Sequence, residues 1–529
     1  MPEARDLESA VGTADSSRPG LNKPLVWSSA VLLALCFLLG AHSAFWMRGG
    51  PLDEGALLVS PELLLRGLVP HRDFYYAYGP GNLYTLAAAY AAFGTAFGVE
   101  RWVGTAYRIL VLAGVFSAAY LGLRDTTRDR RTVVALACTA LALVDLLNLE
   151  FAAFAWFATA GFLLLALGLL SAEGASRGRA ALGGLAFGIA VLFRPETLPV
   201  AAAMAITLLW TESKPERIAA WRGFAVPLAA LALYIWQVSP ALYWRDAIVQ
   251  EIFVVSAIRR LPLPHEWPEL APVLLLLLAT LLHVVTAMRA WRTRNDGWPS
   301  GMALAILSLG ILPQALQRAD MTHLVYVSCI SVALTPLSIS RLPGLWPKAP
   351  KKLRGDIVLA AAALCVFQPL VWPALKQVVD GLQLKPVALL HRNGRTYLPV
   401  MSDQMAMYQS ILDNLPQIAP PGTPIFIGPL DLRRTNYNDA FLYYLLPDYP
   451  PATRYIVLDP GAANASDSTL AQELPKAGVL LLSDNDILWQ EKNHSEDPGP
   501  DAPNQVVKRL FMPFAKIGFY WVFVRKTSK

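Results

Sequence analysis

Long apolar runs separated by short polar segments occupy most of the chain up to residue 374 and predict a series of membrane helices. Several runs are shorter than the roughly 20 residues that normally span a bilayer. The runs 180–193 and 197–211 also fit one long helix broken at Arg194-Pro195, because proline interrupts a helix interior. We expect about eleven transmembrane helices, at residues 25–46, 102–123, 132–147, 151–171, 180–193, 197–211, 223–238, 270–289, 299–317, 321–340 and 356–374.

The short basic loops between these helices predict their orientation in the membrane. With the N-terminus in the cytoplasm, the inner loops are all rich in arginine or lysine, as the positive-inside rule requires. These loops are residues 124–131, 173–179, 214–222, 289–294 and 341–354. The apolar stretch 82–98 would reverse the pattern if it crossed the membrane. We therefore expect 54–66 and 82–98 to be interfacial or re-entrant helices on the outer side.

Composition agrees with a multi-pass protein of a cell (inner) membrane. Of the 529 residues 55% are hydrophobic and 16% charged, with a mean hydropathy of +0.40, whereas soluble domains carry about 25% charged residues. The net charge of +6 is explained by the basic loops, so no nucleic-acid partner is expected. All four cysteines lie in apolar runs, which predicts neither a disulfide framework nor a cysteine metal site.

The chain divides into three predicted parts. Residues 1–24 are polar and are expected to form a disordered cytoplasmic N-terminus, and the run at 25–47 has no A-x-A type cleavage site, which favours a retained helix. Residues 25–374 form the transmembrane part, with an outer loop at 47–101. Residues 375–529 alternate between strand-like and helix-like segments, which predicts an extracytoplasmic α/β domain with a partly parallel sheet. Its strands are expected at 424–428, 454–458, 478–482 and 519–525, and its helices at 402–414, 438–446, 468–476 and 504–513.

The acidic pair Asp53-Glu54 follows the first predicted span. Ionised carboxylates at a membrane are costly unless they face water, a partner or a substrate. One of the two is suited to act as a general base that takes a proton from a hydroxyl group. The competing interpretation is helix capping, since acids favour the first turn of a helix. The sequence does not decide which of the two acids has which role.

Other polar residues lie on the same predicted face of the membrane. Arginine side chains bind phosphate through a fixed fork of donors, although the same residues also fit snorkelling charges, a structural ion pair or an interfacial belt. The candidates for binding a phosphate are Arg318, Arg194, Arg259 and His323. The candidates for contact with a sugar or an acceptor are Tyr75, Tyr78, Asp320, Asn438 and Tyr443. Asn438 and Tyr443 belong to a region rich in Arg, Asn and Tyr that equally fits a turn and a helix cap.

Together these features resemble the GT-C superfamily of membrane glycosyltransferases, which includes protein mannosyltransferases, lipid A aminoarabinose transferases and arabinofuranosyltransferases. The resemblance rests on Asp53-Glu54, on the Tyr75-x-x-Tyr78-Gly-Pro-Gly turn, on the glycine-rich span that ends at Arg194, and on the closing polar region. It implies a polyprenyl-phosphate-linked sugar donor and an extracytoplasmic glycan, lipid or protein acceptor. It also implies an inverting transfer in which an outer-loop carboxylate, Asp53 or Glu54, is the base.

Three alternatives remain open at the level of sequence. A glycolipid transporter or flippase would carry charges near the middle of the bilayer and an inverted repeat, and no repeat is evident. A polysaccharide polymerase or ligase of another membrane fold would share the donor. A catalytically inactive glycolipid-binding scaffold would share the fold. Paired carboxylates are able to hold a divalent cation, but nothing in the sequence requires one.

Overall fold

The computed structural model describes residues 23–123, 127–172, 174, 176–267, 269–345, 370–383, 387–398, 404–485 and 491–526. The predicted N-terminal segment 1–24 lies almost entirely outside the described residues. The predicted helix 356–374 does so up to residue 369, and that helix is therefore untested over most of its length.

Helices form most of the described chain. In the first half they are Lys23–Phe45, Asp53–Leu65, Pro80–Phe93, Phe97–Gly122, Arg128–Leu146, Ala155–Ser171, Arg177–Phe193, Leu198–Leu209 and Lys214–Val238. They continue with Pro240–Tyr243, Trp244–Val255, Ser256–Ile258, Leu270–Arg292, Trp298–Gln317, Met321–Ser331, Thr335–Leu345 and Val371–Asp380. The apolar runs thus become helices, because a backbone in an apolar environment must satisfy its hydrogen bonds internally.

Among the described residues, 6 helices are long and apolar enough to cross a membrane. They are Val26–Phe45, Phe97–Gly122, Lys214–Val238, Leu270–Arg292, Trp298–Gln317 and Met321–Leu342. The segments Ala155–Ser171 and Pro195–Leu209 are apolar but shorter. The protein is thus a multi-pass membrane protein, while the expected number of about eleven spans is not confirmed.

Close helix contacts hold the membrane part together. The helices Arg177–Phe193 and Lys214–Val238 approach through a glycine on each side. A methyl group on Gly184 would collide with the carbonyl oxygen of Ala220, and one on Gly223 would collide with that of Ala181. Small residues at membrane helix interfaces bring backbones together and so supply dispersion contacts that lipid cannot match.

The two segments expected to lie on the outer side form helices at Asp53–Leu65 and Pro80–Phe93. Neither is long enough to be counted among the candidate spans; their side of the membrane stays a prediction. The apolar side of Asp53–Leu65 is covered by the C-terminal part of the chain: Leu58, Val59 and Leu63 share a buried cluster with Tyr397 and Phe441. This outer helix is therefore packed from both directions, against the membrane helices and against the C-terminal region.

Residues 387–526 contain a hairpin, Leu390–Arg392 with Arg395–Tyr397, and a sheet of four strands. In order across the sheet the strands are Ile425–Pro429, Val479–Ser483, Tyr520–Arg525 and Phe511–Ile517. The first two are parallel and the remaining pairs are antiparallel. Helices pack beside them at Met405–Ile418, Phe441–Leu445, Leu470–Glu473 and Ala502–Leu510. Three of the expected strands are therefore present, and the expectation of a partly parallel sheet is correct.

Two expectations for this region are wrong. Residues 454–458 do not form a strand, because Arg454 instead turns its backbone towards Tyr75, whose amide donates to the Arg454 carbonyl at 2.8 Å. The helix expected at 504–513 ends at Leu510, and an edge strand begins at Phe511. Pro513 lies on this edge strand, where the missing N–H is tolerated.

A buried ion pair joins the outer helix to the membrane part. The carboxylate of Glu54 accepts a hydrogen bond from Arg101 Nε, and both side chains are 0% exposed. Glu100 lies 3.7 Å from the same nitrogen, and the guanidinium covers the ring of Phe97. Arg101 is thus neutralised from two helices at once, and Glu54 has no freedom to move away.

We predict that Glu54→Gln destabilises the protein, because it leaves the buried Arg101 with a weaker partner. Removing one member of a buried pair typically lowers the free energy of unfolding by roughly 3–5 kcal/mol. The loss should lie near the lower value, because Glu100 keeps a negative charge beside Arg101. Thermal unfolding in detergent measures this loss of stability. Glu266→Gln is the matched control, since that side chain is 82% exposed. Equal melting temperatures for the two variants would contradict the structural role of Glu54.

Candidate functional site

Asp53 and Glu54 point in different directions. Successive side chains on a helix diverge, so that one acid is drawn into the core and the other is left outside. Glu54 is buried against Arg101, whereas Asp53 is exposed. The helix has no side-chain cap, and its N-cap position is Leu52. Both acids lie in the first turn of the helix, as the competing interpretation expected, but neither makes a side-chain cap hydrogen bond. Asp53 makes no hydrogen bond within the described part of the chain.

Asp53 faces charged groups from four other segments. The charges of Arg259, Asp459, Glu150 and Arg318 all act on its carboxyl group. Burial by the surrounding protein raises the pKa of Asp53, and the two acids add to this effect while the two arginines oppose it. The carboxyl group is exposed and yet strongly desolvated, a combination that indicates a cleft enclosed by protein. This cleft lies where the membrane part meets the C-terminal region.

Arg194 lies at the helix break that the sequence predicted, between Arg177–Phe193 and the short 3₁₀ turn Pro195–Thr197. Its Nε donates to Glu196, and its guanidinium lies over the rings of Tyr78 and Trp156, at 5.1 and 5.6 Å. Within the described residues, no hydrogen bond occupies its two terminal nitrogens. Arg194 therefore presents a fixed cation with free donors.

Arg259 and Arg318 are held by carboxylates of the C-terminal region. Arg259 Nη2 donates to Asp459 at 2.9 Å. Arg318 Nη1 donates to Glu491 at 2.8 Å and Nη2 donates to the other oxygen of the same carboxylate, while Nε donates to Asp320 at 2.7 Å. A phosphate could bind these two arginines only by sharing or displacing those carboxylates.

Asp320 and His323 form a helix cap. Asp320 accepts from the backbone N–H of His323 at 2.9 Å and lies 2.8 Å from His323 Nδ1, at the start of helix Met321–Ser331. Burial opposes ionisation of Asp320, but the hydrogen bonds from His323 and the charge of Arg318 outweigh it and lower its pKa to about 2. Asp320 is thus a stable anion that orients Arg318.

The two tyrosines of the outer turn differ in position. Tyr78 is partly exposed under Arg194 and feels the charges of Asp53 and Asp459. Tyr75 is buried and stacks on Tyr455 with the ring centroids 6.4 Å apart. Tyr78 therefore lies in the cleft with Asp53 and Arg194, and Tyr75 lies behind it.

Asn438 and Tyr443 lie inside the C-terminal region. Asn438 donates to the carbonyls of Ile427 and Ile456 and accepts from the amide of Leu458, and Tyr443 accepts from the amide of Ile427 at 2.9 Å. Both residues are buried. These bonds hold loops against a strand, as the turn interpretation of this sequence predicted, and they leave no obvious surface for a sugar.

A separate open pocket of about 800 Å³ lies on the C-terminal region. Arg433, Arg434 and Asn436, from the cluster rich in Arg, Asn and Tyr, contribute to its wall together with Asn504 and Lys508. It contains neither Asp53 nor any of the charged residues around it. The pocket is therefore separate from Asp53, although Arg259 Nη2 donates to the carbonyl of Asn436 in its wall at 3.4 Å.

The sequence interpretation missed two acids on the segment Trp244–Val255, which forms a π-helix. Asp246 accepts from Arg454 and from Arg245 Nε, and lies 3.5 Å from His71 Nδ1. Burial lowers the pKa of His71 more than Asp246 raises it. The same helix carries Glu251, which is partly exposed and is acted on by the charges of Asp459 and Arg194. Asp246 thus anchors the helix that presents Glu251.

Among the described residues there is no group of three or more His, Cys, Asp or Glu side chains that could hold a metal ion.

Comparisons with known proteins define the class of fold. No protein-family model matches the chain, and no curated protein matches it. Among solved structures, ArnT from Cupriavidus metallidurans bound to undecaprenyl phosphate is 15% identical, with 96% of this chain and 99% of that chain covered and a TM-score of 0.54. The apo state of the same protein is 14% identical, with 94% and 98% covered and a TM-score of 0.55. The apo oligosaccharyltransferase of Archaeoglobus fulgidus is 13% identical, with 87% and 70% covered and a TM-score of 0.52.

At these identities the likeness shows the fold alone. The chain has a GT-C-like fold over most of its length, as the resemblance read from the sequence predicted.

We predict that Asp53→Asn stabilises the protein at neutral and alkaline pH. A raised pKa means that the folded state holds the proton more tightly than the unfolded chain. Ionised Asp53 therefore destabilises the fold as pH rises past the unfolded pKa of about 3.9. Melting temperatures measured between pH 4 and pH 8 should separate the variant from wild type only towards the upper end. Asp413→Asn, an exposed acid on helix Met405–Ile418, is the control, and a uniform shift at all pH values would contradict the prediction.

Proposed function

We propose that the protein is a membrane glycosyltransferase that moves a sugar from a polyprenyl-phosphate-linked donor to an extracytoplasmic glycan, lipid or protein acceptor, with inversion. The observation that carries the proposal is the exposed, unpartnered Asp53 in a cleft that also holds the free donors of Arg194. The likeness of the fold to ArnT bound to undecaprenyl phosphate supports this kind of donor. The N-terminus is then cytoplasmic, and the C-terminal region faces outward from a cell (inner) membrane.

In the proposed mechanism Asp53 is the base. It accepts the proton of the acceptor hydroxyl as the acceptor oxygen attacks the anomeric carbon from the side opposite the phosphate, which inverts that carbon. Glu54 is unsuited to this role, because Arg101 occupies it in a site without solvent. Asp53 is open to an acceptor from the water side. A raised pKa also makes Asp53 a better proton acceptor than an ordinary aspartate.

Arg194 is the principal ligand of the donor phosphate in this mechanism. Its terminal nitrogens are free, and its Nε bond to Glu196 and its position over Tyr78 fix the orientation of the guanidinium. Preorganised donors stabilise the charge that grows on a leaving phosphate without reorganisation. Arg259 and Arg318, with His323 beside Asp320, form the outer wall of the cleft. Arg259 and Arg318 contact the phosphate only if it shares or displaces the carboxylates of Asp459 and Glu491.

The first test uses purified protein and a panel of polyprenyl-phosphate sugars. Wild type should release or transfer a sugar, and Asp53→Asn should lose about 10²–10⁴-fold in turnover, which is the typical contribution of a general base. The variant should still bind polyprenyl phosphate, because Arg194 remains. Asp413→Asn should behave as wild type. If polyprenyl phosphates bind but none of the donors is consumed, a glycolipid transporter or a scaffold is the better explanation.

A further prediction ranks the arginines by their contribution to the binding of polyprenyl phosphate. Arg194→Ala should weaken polyprenyl phosphate binding about 10- to 100-fold, as the loss of a charged hydrogen bond worth about 1.5–3 kcal/mol implies. Arg318→Ala should have a smaller effect, because its donors are already occupied by Glu491 and Asp320. Arg194→Lys should recover part of the affinity, since it keeps the charge and loses the fork. Titration calorimetry in detergent gives the three values, and a larger loss for Arg318→Ala would overturn the ranking.

A further inference from the structure

The open pocket on the C-terminal region includes the ends of its two parallel strands. Ile425–Pro429 and Val479–Ser483 run parallel, and Leu430 and Asp484, the residues that follow them, line the pocket. In open α/β sheets, ligands bind beyond the carboxyl ends of the parallel strands. The volume of about 800 Å³ also lies within the range of roughly 300–1,000 Å³ that is typical of ligand pockets. The pocket therefore has the position and the size of a binding site.

Hydrogen bonds give one wall of this pocket a fixed shape. Asp431 accepts from Arg433 Nη2 at 2.8 Å and from Asn504 Nδ2 at 2.7 Å. Asn504 Oδ1 in turn accepts from the backbone amide of Leu432 at 2.9 Å. The loop that follows the first strand of the sheet is thereby fastened to the helix Ala502–Leu510. A wall that is ordered before binding lowers the entropy that a ligand must overcome.

Three charged side chains in the lining are left without partners. Arg434, Glu496 and Lys508 line the pocket, and within the described residues their side chains make no hydrogen bond or ion pair. Arg434 Nε and Glu496 Oε1 are even shielded from water. Shielded polar groups without partners are rare in folded proteins and require an explanation. A ligand in the pocket would give these side chains the partners that the chain itself does not supply.

The lining favours an uncharged ligand that both donates and accepts hydrogen bonds. Its four basic and four acidic side chains balance, so that neither a phosphate nor a cation gains from the overall charge. Arg434 and Lys508 only donate, whereas an ionised Glu496 only accepts. Hydroxyl groups do both, and sugars carry several of them. The ring of Phe523 is partly exposed in the same lining and offers an apolar surface to the face of a sugar.

The wall of the pocket contacts charged groups of the cleft. The carbonyl of Asn436, which lines the pocket, accepts from Arg259 Nη2 at 3.4 Å. The same nitrogen donates to Asp459 at 2.9 Å, and Thr435 Oγ1 donates to the Asp459 carbonyl at 3.3 Å. The chain at residues 434–436 therefore contacts both the pocket and the pair Arg259–Asp459.

A second segment joins the same two places. Glu491 binds Arg318, Asn493 Nδ2 donates to the carbonyl of Arg259 at 3.3 Å, and Glu496 lines the pocket. Five residues of fully extended chain reach at most about 18 Å, so the α-carbons of Glu491 and Glu496 are no further apart than this. A short chain of sugars covers such a distance.

We propose that the pocket binds an uncharged stretch of the acceptor, and that the acceptor is a glycan whose reacting end extends past Arg259 to Asp53. This inference rests on the proposed function and selects the glycan from its three kinds of acceptor. The sugars in the pocket do not react. Their binding energy holds the reacting hydroxyl group in place beside Asp53, as remote parts of a substrate commonly do.

Binding of neutral oligosaccharides tests the pocket without catalysis. The full-length protein, purified in detergent, is titrated by calorimetry with short oligomers of glucose, mannose, galactose, arabinose and N-acetylglucosamine. At least one of these should bind, and oligogalacturonate and inorganic phosphate should bind more weakly. The inference is overturned if none of the neutral oligomers binds, or if an anionic probe binds more tightly than all of them.

Substitutions in the lining have matched controls on the same segments. Glu496→Ala and Arg434→Ala should each weaken oligosaccharide binding about tenfold or more, as expected for a lost hydrogen bond to a charged group. Lys508→Ala should weaken it less, because that side chain is exposed. Asp497→Ala and Arg509→Ala change exposed neighbours outside the lining and should bind as wild type. Equal affinities of Glu496→Ala and Asp497→Ala would overturn the inference.

Melting temperatures show whether each variant is folded. If the two variants of shielded groups unfold, Lys508→Ala against Arg509→Ala still decides, because both change exposed side chains of one helix. A loss of affinity in Lys508→Ala alone supports the pocket, and equal affinities contradict it.

Kinetics with a glycan acceptor give the second readout. Glu496→Ala should raise the acceptor KM about tenfold and the donor KM much less, because the pocket binds the acceptor equally in the ground state and in the transition state. An oligosaccharide that binds in calorimetry should also compete with the acceptor. A rise of the donor KM as large as that of the acceptor KM would contradict an acceptor site.

The outcomes separate this inference from the proposed function. If wild type transfers sugar to a glycan and Glu496→Ala leaves the acceptor KM unchanged, the assignment of the pocket is wrong and the transferase proposal stands. Transfer to a lipid or a peptide without any binding of glycan would also overturn it. If an oligosaccharide binds and requires Glu496 but no donor is consumed, the transferase proposal fails, the role in acceptor binding fails with it, and the pocket remains a carbohydrate-binding site.

Discussion

The buried pair between Glu54 and Arg101 is the constraint on which the rest of the cleft depends. It fixes the start of the outer helix against the membrane helix Phe97–Gly122, in a place where neither charge is exposed. Because Glu54 is turned inward, the preceding residue is turned outward, and Asp53 is left at the mouth of the cleft. One ion pair therefore determines both the position of the outer helix and the acid that remains available for chemistry.

The C-terminal region completes the cleft instead of merely covering it. Its carboxylates Asp459 and Glu491 pair with Arg259 and Arg318, and its Arg454 binds Asp246 on the π-helix. Each contact joins opposite charges across the boundary between the two parts. These contacts hold the arginines at fixed positions. Arg194 depends instead on Glu196 of its own segment, and within the described residues no hydrogen bond occupies its terminal nitrogens.

Features that depend on local sequence were predictable, and those that depend on distant partners were not. The break at Arg194-Pro195 follows from proline, and the helices Asp53–Leu65 and Pro80–Phe93 follow from their apolar pattern. The roles of Asp53 and Glu54 could not be separated, because the choice depends on Arg101, which lies 47 residues further along the chain. The edge strand from Phe511 was missed because its exposed Met512 and Phe514 hide the alternation typical of a half-buried strand.

Glu251 shows why sequence alone could not predict the protonation of an acid. Nothing in its neighbours along the chain indicates that its pKa is raised. The relevant groups, Arg194, Glu196 and Asp459, come from parts of the sequence far from the π-helix and from each other. The protonation of an acid is set by desolvation and by the sum of nearby charges. The raised pKa of Glu251 therefore depends on the fold, which brings these regions together.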